Sequence, residues 1–174
     1  MSTPRLVPIS SDHVPGIEQL LTDPDALRFT PIPDPPPAGF AREWFERYQA
    51  GEADGTRRMW AVLDEDETFL GLGVAPRIDT MTRTVELGYM ILPEARGRGV
   101  ATSVLRQLTD WALGEQGMLR IQLLISAGNH GSKGVAARCG YLYEGTMRST
   151  HLKQDRRDDT DLWSLLPTDP RPNG

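Results

Sequence analysis

A strand that runs through a glycine-rich turn into a long helix constrains this chain more than any other feature. The segment reads Glu86-Leu-Gly-Tyr-Met-Ile-Leu-Pro-Glu-Ala-Arg-Gly-Arg-Gly-Val-Ala101. From Gly99 to about Glu115, Val100, Val104, Leu105, Leu108, Trp111 and Ala112 recur at helical spacing, and Gly117 ends the run. Gly97 and Gly99 let the backbone approach a ligand closely. The orphan N–H groups at the helix start, at the positive end of its dipole, suit a phosphate or pyrophosphate. Arg96 and Arg98 add charge, and Thr102 adds a hydroxyl donor. The same junction also arises for purely geometric reasons. A dinucleotide fingerprint wants Gly where Thr102 stands, and the Gly-Lys-Ser/Thr of a P-loop is absent. A different phosphate-bearing ligand is expected.

The remaining periodicities set this junction in a mixed α/β domain. Leu6, Val7 and Ile9 predict a short strand, and Asp12 a cap for a helix from about His13 to Leu21 with Pro15 in its first turn. Prolines 31, 33, 35, 36 and 37 make Thr30 to Pro37 a loop. A second helix is expected from about Ala38 to Ala50, stopped by Gly51. Met59 to Leu63, Phe69 to Ala75 and Val85 to Leu92 read as an antiparallel meander, in which Gly71, Gly73 and Gly88 hint at bulges or close approach. After the long helix come a strand (Ile121 to Ile125), a helix (Asn129 to Cys139, stopped by Gly140) and two strands, from Tyr141 onward and Leu162 to Leu166. The tail after Pro167 is expected to fray.

With 174 residues the chain suits a single domain. No run reaches the ~18 apolar residues of a membrane span, and the start carries no basic segment followed by an apolar one, so a cytoplasmic protein without membrane partners is expected. Cys139 is the lone cysteine, and His13, His130 and His151 lack ligand-like spacing, so neither disulfide nor metal site is expected. A net charge of −5 argues against nucleic acid as the main partner.

Arg96-Gly97-Arg98-Gly99-Val100-Ala101 satisfies (Arg/Gln)-x-x-Gly-x-(Gly/Ala), and at these residues the chain resembles the GNAT superfamily of acyl-CoA-dependent N-acyltransferases. The resemblance extends from about residue 57 to 166 and is closest to the RimJ/RimL-like ribosomal-protein N-terminal acetyltransferase branch. Its marks are Glu86-Leu87-Gly88-Tyr89, Asn129-x-x-Ser132, Cys139-Gly140-Tyr141 with Glu144-Gly145, and Asp159. It implies a mixed, mostly antiparallel sheet of about seven strands, splayed between two central strands and flanked by about four helices. Residues 1–55 would then form the acceptor side, 57–166 the acetyl-CoA-binding core and 167–174 a tail. A homodimer is one assembly the family leads us to expect.

The resemblance also implies roles. The amides from Arg96 through Gly97, Arg98, Gly99 and Val100 to Ala101, with Thr102, would hold the pyrophosphate of acetyl-CoA. The backbone of Met90, Ile91 and Leu92 would pair with the pantetheine arm, and Asn129 would reach it from the other side. Glu86 is the candidate base, or alternatively a structural acceptor. Many members place a Tyr seven residues after the Asn, where this chain has Ala136; Ser132 is therefore the candidate acid, with helix capping as its bland alternative and Tyr141 and Tyr143 as backups. Cys139 is expected to be a buried, inert thiol, so attack is direct in a ternary complex. The four tryptophans are expected in the core.

The acceptor groove of the family would lie between Arg28 to Phe40 and the hairpin from about Ser149 to Asp159. Asp155, Asp158, Asp159 and Asp161 could attract a cationic amine, although Lys153, Arg156 and Arg157 interrupt them, as in a solvated turn. The expected activity is acetyl transfer to a primary amine, either a protein α-amino group or a small amine metabolite or antibiotic. The alternatives are a non-catalytic acyl-CoA-binding regulatory module and a nucleotide-phosphate enzyme using the same loop.

Overall fold

The computed structural model of the chain describes residues 3–153 and 156–172. Seven strands form one sheet in the order β1-β2-β3-β4-β5-β7-β6. The expected meander is present as β2 (Arg58–Leu63), β3 (Phe69–Asp79) and β4 (Thr84–Ile91), with β1 (Arg5–Pro8) antiparallel to β2. The hairpin β6 (Leu142–Lys153) and β7 (Arg156–Leu165) adds to β5 (Arg120–Ser126) through β7. Every pairing is antiparallel except β4 with β5.

That parallel pairing is short. Thr84, Val85 and Glu86 face Arg120, Ile121 and Gln122, and no further register is kept. The two central strands therefore part beyond Glu86, and their facing edges carry backbone groups that need a partner from elsewhere. The Leu92 N–H donates to the Leu70 carbonyl at 2.9 Å. Antiparallel alternation then aims the backbone groups of Leu92 and Met90 at β3 and those of Ile91 and Tyr89 into the gap.

Both faces of the sheet are covered, which is why β2 reads as buried almost throughout. On one face lie α4 (Val100–Asp110), with a wider π-helical turn at Trp111–Glu115, and α5 (His130–Arg138), packed on Val62, Leu87, Ile91, Ile121 and Leu123. On the other lie α1 (Val14–Leu20), α2 (Pro24–Phe29) and α3 (Phe40–Ala53), packed on Met59, Ala61, Leu72, Met90 and Leu92. No helix among the described residues is long and apolar enough to cross a membrane.

Four expectations change. The helix α2 was not foreseen, although Asp23 accepts from the amides of Asp25 and Ala26 and Pro24 opens its first turn. Ser10 rather than Asp12 opens the turn before α1, its N–H donating to His13 Nδ1 at 3.0 Å. Gly51 lies inside α3, where a Cβ would meet the Arg57 side chain at 2.7 Å; the helix ends at Asp54 and Gly55 takes the positive φ. The tail docks: Leu166 N–H donates to Asp169, Arg171 pairs with Asp110, and Pro170 and Pro172 pack over Gly140.

Among the glycines of the sheet, Gly71 leaves the least room for a side chain. A Cβ there would stand 2.1 Å from the Met90 carbonyl oxygen and 3.0 Å from Ile91 Cα. Both are main-chain atoms, so β3 and β4 would have to separate. Gly71→Ala is expected to cost about 2–3 kcal/mol and, at about 2–4 °C per kcal/mol for a chain of this size, to lower Tm by about 4–12 °C. Thermal melting checks it, and an unchanged Tm would refute the close approach.

Candidate active site

The glycine-rich turn is a cluster of backbone donors. After β4 a 3-10 turn (Pro93–Ala95) uses the Arg96 N–H on the Pro93 carbonyl. Gly97 and Gly99 then adopt φ of 73° and 79°, a left-handed conformation other residues resist. Among the described residues no acceptor is found for the amides of Gly97, Arg98, Gly99, Val100, Ala101 or Thr102; the first helical bond runs from Ser103 to Gly99. A Cβ at either glycine would meet nothing within 4 Å. The amides thus front open space at the positive end of α4.

The two arginines of the turn behave differently. Arg96 does not offer its charge to that space. Its Nε donates to the Ile91 carbonyl at 2.9 Å, and its guanidinium pairs with buried Asp23 and, at 3.5 Å, with Asp25. It ties α2 to the turn and takes up the gap-facing carbonyl of Ile91. Arg98 turns back to the Glu94 carbonyl, is exposed and has no carboxylate partner among the described residues, so its charge stays available. Thr102 is half-buried with a free hydroxyl, and its carbonyl accepts from the buried Cys139 thiol at 3.6 Å. Burial pushes that thiol's pKa up, so it is a poor nucleophile.

The gap between β4 and β5 has chemically distinct faces. Strand alternation sends Glu86 to the α1–α3 side and Tyr89 to the α4–α5 side. Glu86 is half-buried and makes no hydrogen bond within the described chain; burial raises its pKa, partly opposed by Arg77, its register partner on β3. The same carboxylate's field reaches the buried Tyr48 of α3. On the other side burial pushes the Tyr89 phenol up to about 12, eased by the hydroxyl of Ser132. The Tyr89 oxygen is closed to solvent and lacks a hydrogen bond of sound geometry.

Asn129 is the cap of α5, its Oδ1 accepting from the Ser132 N–H at 3.1 Å. The Ser132 hydroxyl is therefore not needed for capping, and the Asn129 amide nitrogen is left as a free donor. Tyr141 and Tyr143 are engaged elsewhere: Tyr141 shares a 2.7 Å hydrogen bond with Thr109 in the core, and Tyr143 one of 2.7 Å with Thr146 on the exposed edge strand. Trp60 and Trp111 pack edge to face in the core beneath Arg58, while His130 is exposed.

A cavity of about 370 Å³ opens where the end of α2 (Arg28, Phe29), the end of β5 (126–128) and the start of β7 (156–159) meet. The hairpin is latched to the proline-rich loop by Lys153, whose buried ammonium donates to the Ile32 carbonyl. No local sequence pattern announces that contact. The hairpin acids are largely engaged within the protein. Asp161 is buried and bound to Lys133 (3.1 Å) and Thr146 (2.7 Å). Asp158 pairs with Arg156 at 2.7 Å, Asp159 accepts from the Ser149 N–H at 2.8 Å, and Asp155 lies outside the described residues.

Comparison with known proteins places these features in one family. Residues 5–142 match the family described as acetyltransferase (GNAT) domain. YdaF of Bacillus subtilis, whose name assigns it ribosomal N-acetyltransferase activity, is 30% identical over 142 residues, 82% of this chain and 70% of its own. The spermidine N-acetyltransferase of Vibrio cholerae, solved with CoA and spermine, superposes with a TM-score of 0.86 at 20% identity, covering 97% of this chain and 98% of that one. RimL, an acetyltransferase of the ribosomal L7/L12 α-amino group solved with CoA, gives 0.86 at 18% identity over 95% of each chain. At those identities the two structures establish the fold.

Proposed function

The chain belongs to the GNAT acetyltransferase family and is an N-acetyltransferase; from that premise we propose that it transfers the acetyl group of acetyl-CoA directly to a primary amine across the gap between β4 and β5. The observation that carries the reading is the row of six amides from Gly97 to Thr102 without acceptors, at the mouth of that gap. They suit a pyrophosphate, with Arg98 and the Thr102 hydroxyl in support. The gap-facing backbone of Tyr89 and Ile91, rather than that of Met90 and Leu92, would lie along the pantetheine arm, and the free amide of Asn129 would reach it from α5. A backbone N–H on this edge would polarise the thioester carbonyl.

The two faces divide the proton work. An amine of pKa ~10 is neutral in only about one molecule per thousand at pH 7, a cost of roughly 4 kcal/mol; an α-amino group near ~8 is much easier. Glu86, raised by burial and without a hydrogen bond of its own, takes the ammonium proton on the α1–α3 side, directly or through water. The nitrogen then bonds to the acetyl carbon as the carbon–sulfur bond breaks. Ser132, beside the Tyr89 hydroxyl on the opposite side, gives its proton to the departing sulfur, and the second proton of the nitrogen, released as the amide forms, passes through water to restore the Ser132 hydroxyl. The acceptor is an α-amino group of a protein or a small amine, the two kinds named among the relatives.

Thiol release from acetyl-CoA tests this across peptide N-termini and small amines. Saturable release with at least one amine is expected, together with thermal protection by CoA and none by ATP. CoA protection with no release on any amine would favour a binding module, and ATP protection alone a nucleotide enzyme.

A further inference from the structure

The cavity between the ends of α2 and β5 and the start of β7 carries the wrong charge for a polycation. Its lining holds three guanidiniums, those of Arg28, Arg156 and Arg157, against the carboxylates of Asp158 and Asp159, in a chain whose net charge is −5. Arg156 is neutralised by Asp158 at 2.7 Å. Arg157 donates to the Ser149 carbonyl at 2.9 Å and has no carboxylate partner among the described residues. The Arg28 side chain is exposed, packs over the ring of Phe29 at 5.0 Å, and its guanidinium has neither hydrogen bond nor ion pair among the described residues. The Gly128 N–H on the same wall also lacks an acceptor among the described residues. With Arg156 and Asp158 paired, the Arg28 and Arg157 guanidiniums outnumber the one remaining carboxylate, Asp159, and with the Gly128 amide they line one opening, beside the strand end that leads into Asn129 and Ser132.

Resting on the transferase reading above, we propose that this cavity is the acceptor subsite and that it selects an amine carrying a carboxylate close to the reacting nitrogen. Such a carboxylate belongs to a free amino acid or to an acidic residue at the second position of a peptide N-terminus. Planar guanidiniums bind carboxylates through paired hydrogen bonds, and in a concave, partly desolvated site that preference exceeds its value on an open surface. A polyamine would instead place ammonium groups against Arg28 and Arg157, and like charges there repel. On the same reading the phosphates of CoA have their own donors on the Gly97–Thr102 turn, none of whose residues lines this cavity.

The test compares isosteric acceptors that differ in one charge, with kcat/KM referred to the concentration of neutral amine so that the different amine pKa values within a pair do not enter. L-leucine against L-leucinamide examines the free amino acid, the amidated peptides Ser-Asp-Leu against Ser-Asn-Leu examine the N-terminal source, and spermidine supplies the polycation. In one of the two pairs kcat/KM is expected to favour the carboxylate by about tenfold or more, an advantage of about 1.4 kcal/mol, and to decline with ionic strength. In the double variant Arg28→Gln, Arg157→Gln the advantage should fall to near parity, with the KM for acetyl-CoA unchanged. Parity in the natural protein, a preference for spermidine, an advantage that survives in the double variant, or a weakened KM for acetyl-CoA in that variant would each overturn the assignment. Titration of N-acetyl-L-leucine and N-acetyl-L-leucinamide into the CoA-loaded protein measures the same preference without turnover. If no amine releases thiol, the transferase chemistry fails, while tighter binding of the carboxylate upholds the subsite and equal binding overturns it.

Discussion

Replacing Glu86 with Gln is expected to lower kcat by about 10²–10⁴-fold, the usual contribution of a positioned general base, while leaving the KM for acetyl-CoA unchanged. Gln keeps the shape and removes the ability to accept a proton. Glu86 and the Gly97–Thr102 donors sit on separate parts of β4 and its following turn, so the loss should appear in turnover rather than cofactor affinity. The pH profile gives an independent reading. Burial raises the Glu86 pKa more than Arg77 lowers it, so the acid limb of the natural protein's rate should lie above the ordinary carboxylate range, and the variant should lose that limb. Stability should move the opposite way. A carboxyl whose pKa is raised on folding holds its proton more tightly in the folded state. Its contribution is therefore fully present below the unfolded pKa and is lost as pH rises through the folded one. At neutral pH the buried charge is a burden, and Glu86→Gln should raise Tm by about 2–4 °C. A variant that is active and less stable would make Glu86 a structural acceptor instead.

The parts of this arrangement legible in the sequence are those with a local cause. The meander and α4 follow from side-chain periods of two and 3.6 residues, because each element buries a face that its own sequence must supply. The glycine turn is legible for the same reason: Gly97 and Gly99 announce left-handed φ wherever they stand between a strand and a helix. The six-residue α2 is too short to show a period, and only its Asp23-Pro24 cap betrays it. Arg96 reads locally as a phosphate ligand, yet its partner Asp23 is 73 residues away. The hairpin acids show the same limit. Read along the chain, Asp158, Asp159 and Asp161 alternate with Lys153, Arg156 and Arg157, and only the fold shows that Asp161 turns inward to Lys133 on α5 and that Asp158 is spent on Arg156. Charge at a site is set by which groups remain unpaired after folding, and pairing is non-local.

The second large effect concerns the turn itself. Gly99→Val should raise the KM for acetyl-CoA by about 10–100-fold and leave kcat at saturation close to that of the natural protein. At a φ of 79° a β-branched residue is strained by about 1–2 kcal/mol, and relief of that strain rotates the peptide planes on either side. The amides of Gly99 and Val100 then no longer converge with those of their neighbours. Losing two charge-assisted hydrogen bonds at about 1.5 kcal/mol each accounts for the upper end of the range. Packing does not contribute, since a Cβ at Gly99 meets nothing within 4 Å. Gly114→Ala is the control: it too opens on empty space, but without a positive φ, and it should bind CoA normally. The measurement is the thermal shift produced by CoA, followed by steady-state kinetics. Normal CoA affinity in Gly99→Val would mean that the free amides face something other than the cofactor's phosphates. A rise in KM accompanied by a proportional fall in kcat would instead mean that the turn also positions the thioester, because an interaction lost equally from the ground and transition states lowers kcat/KM without touching kcat.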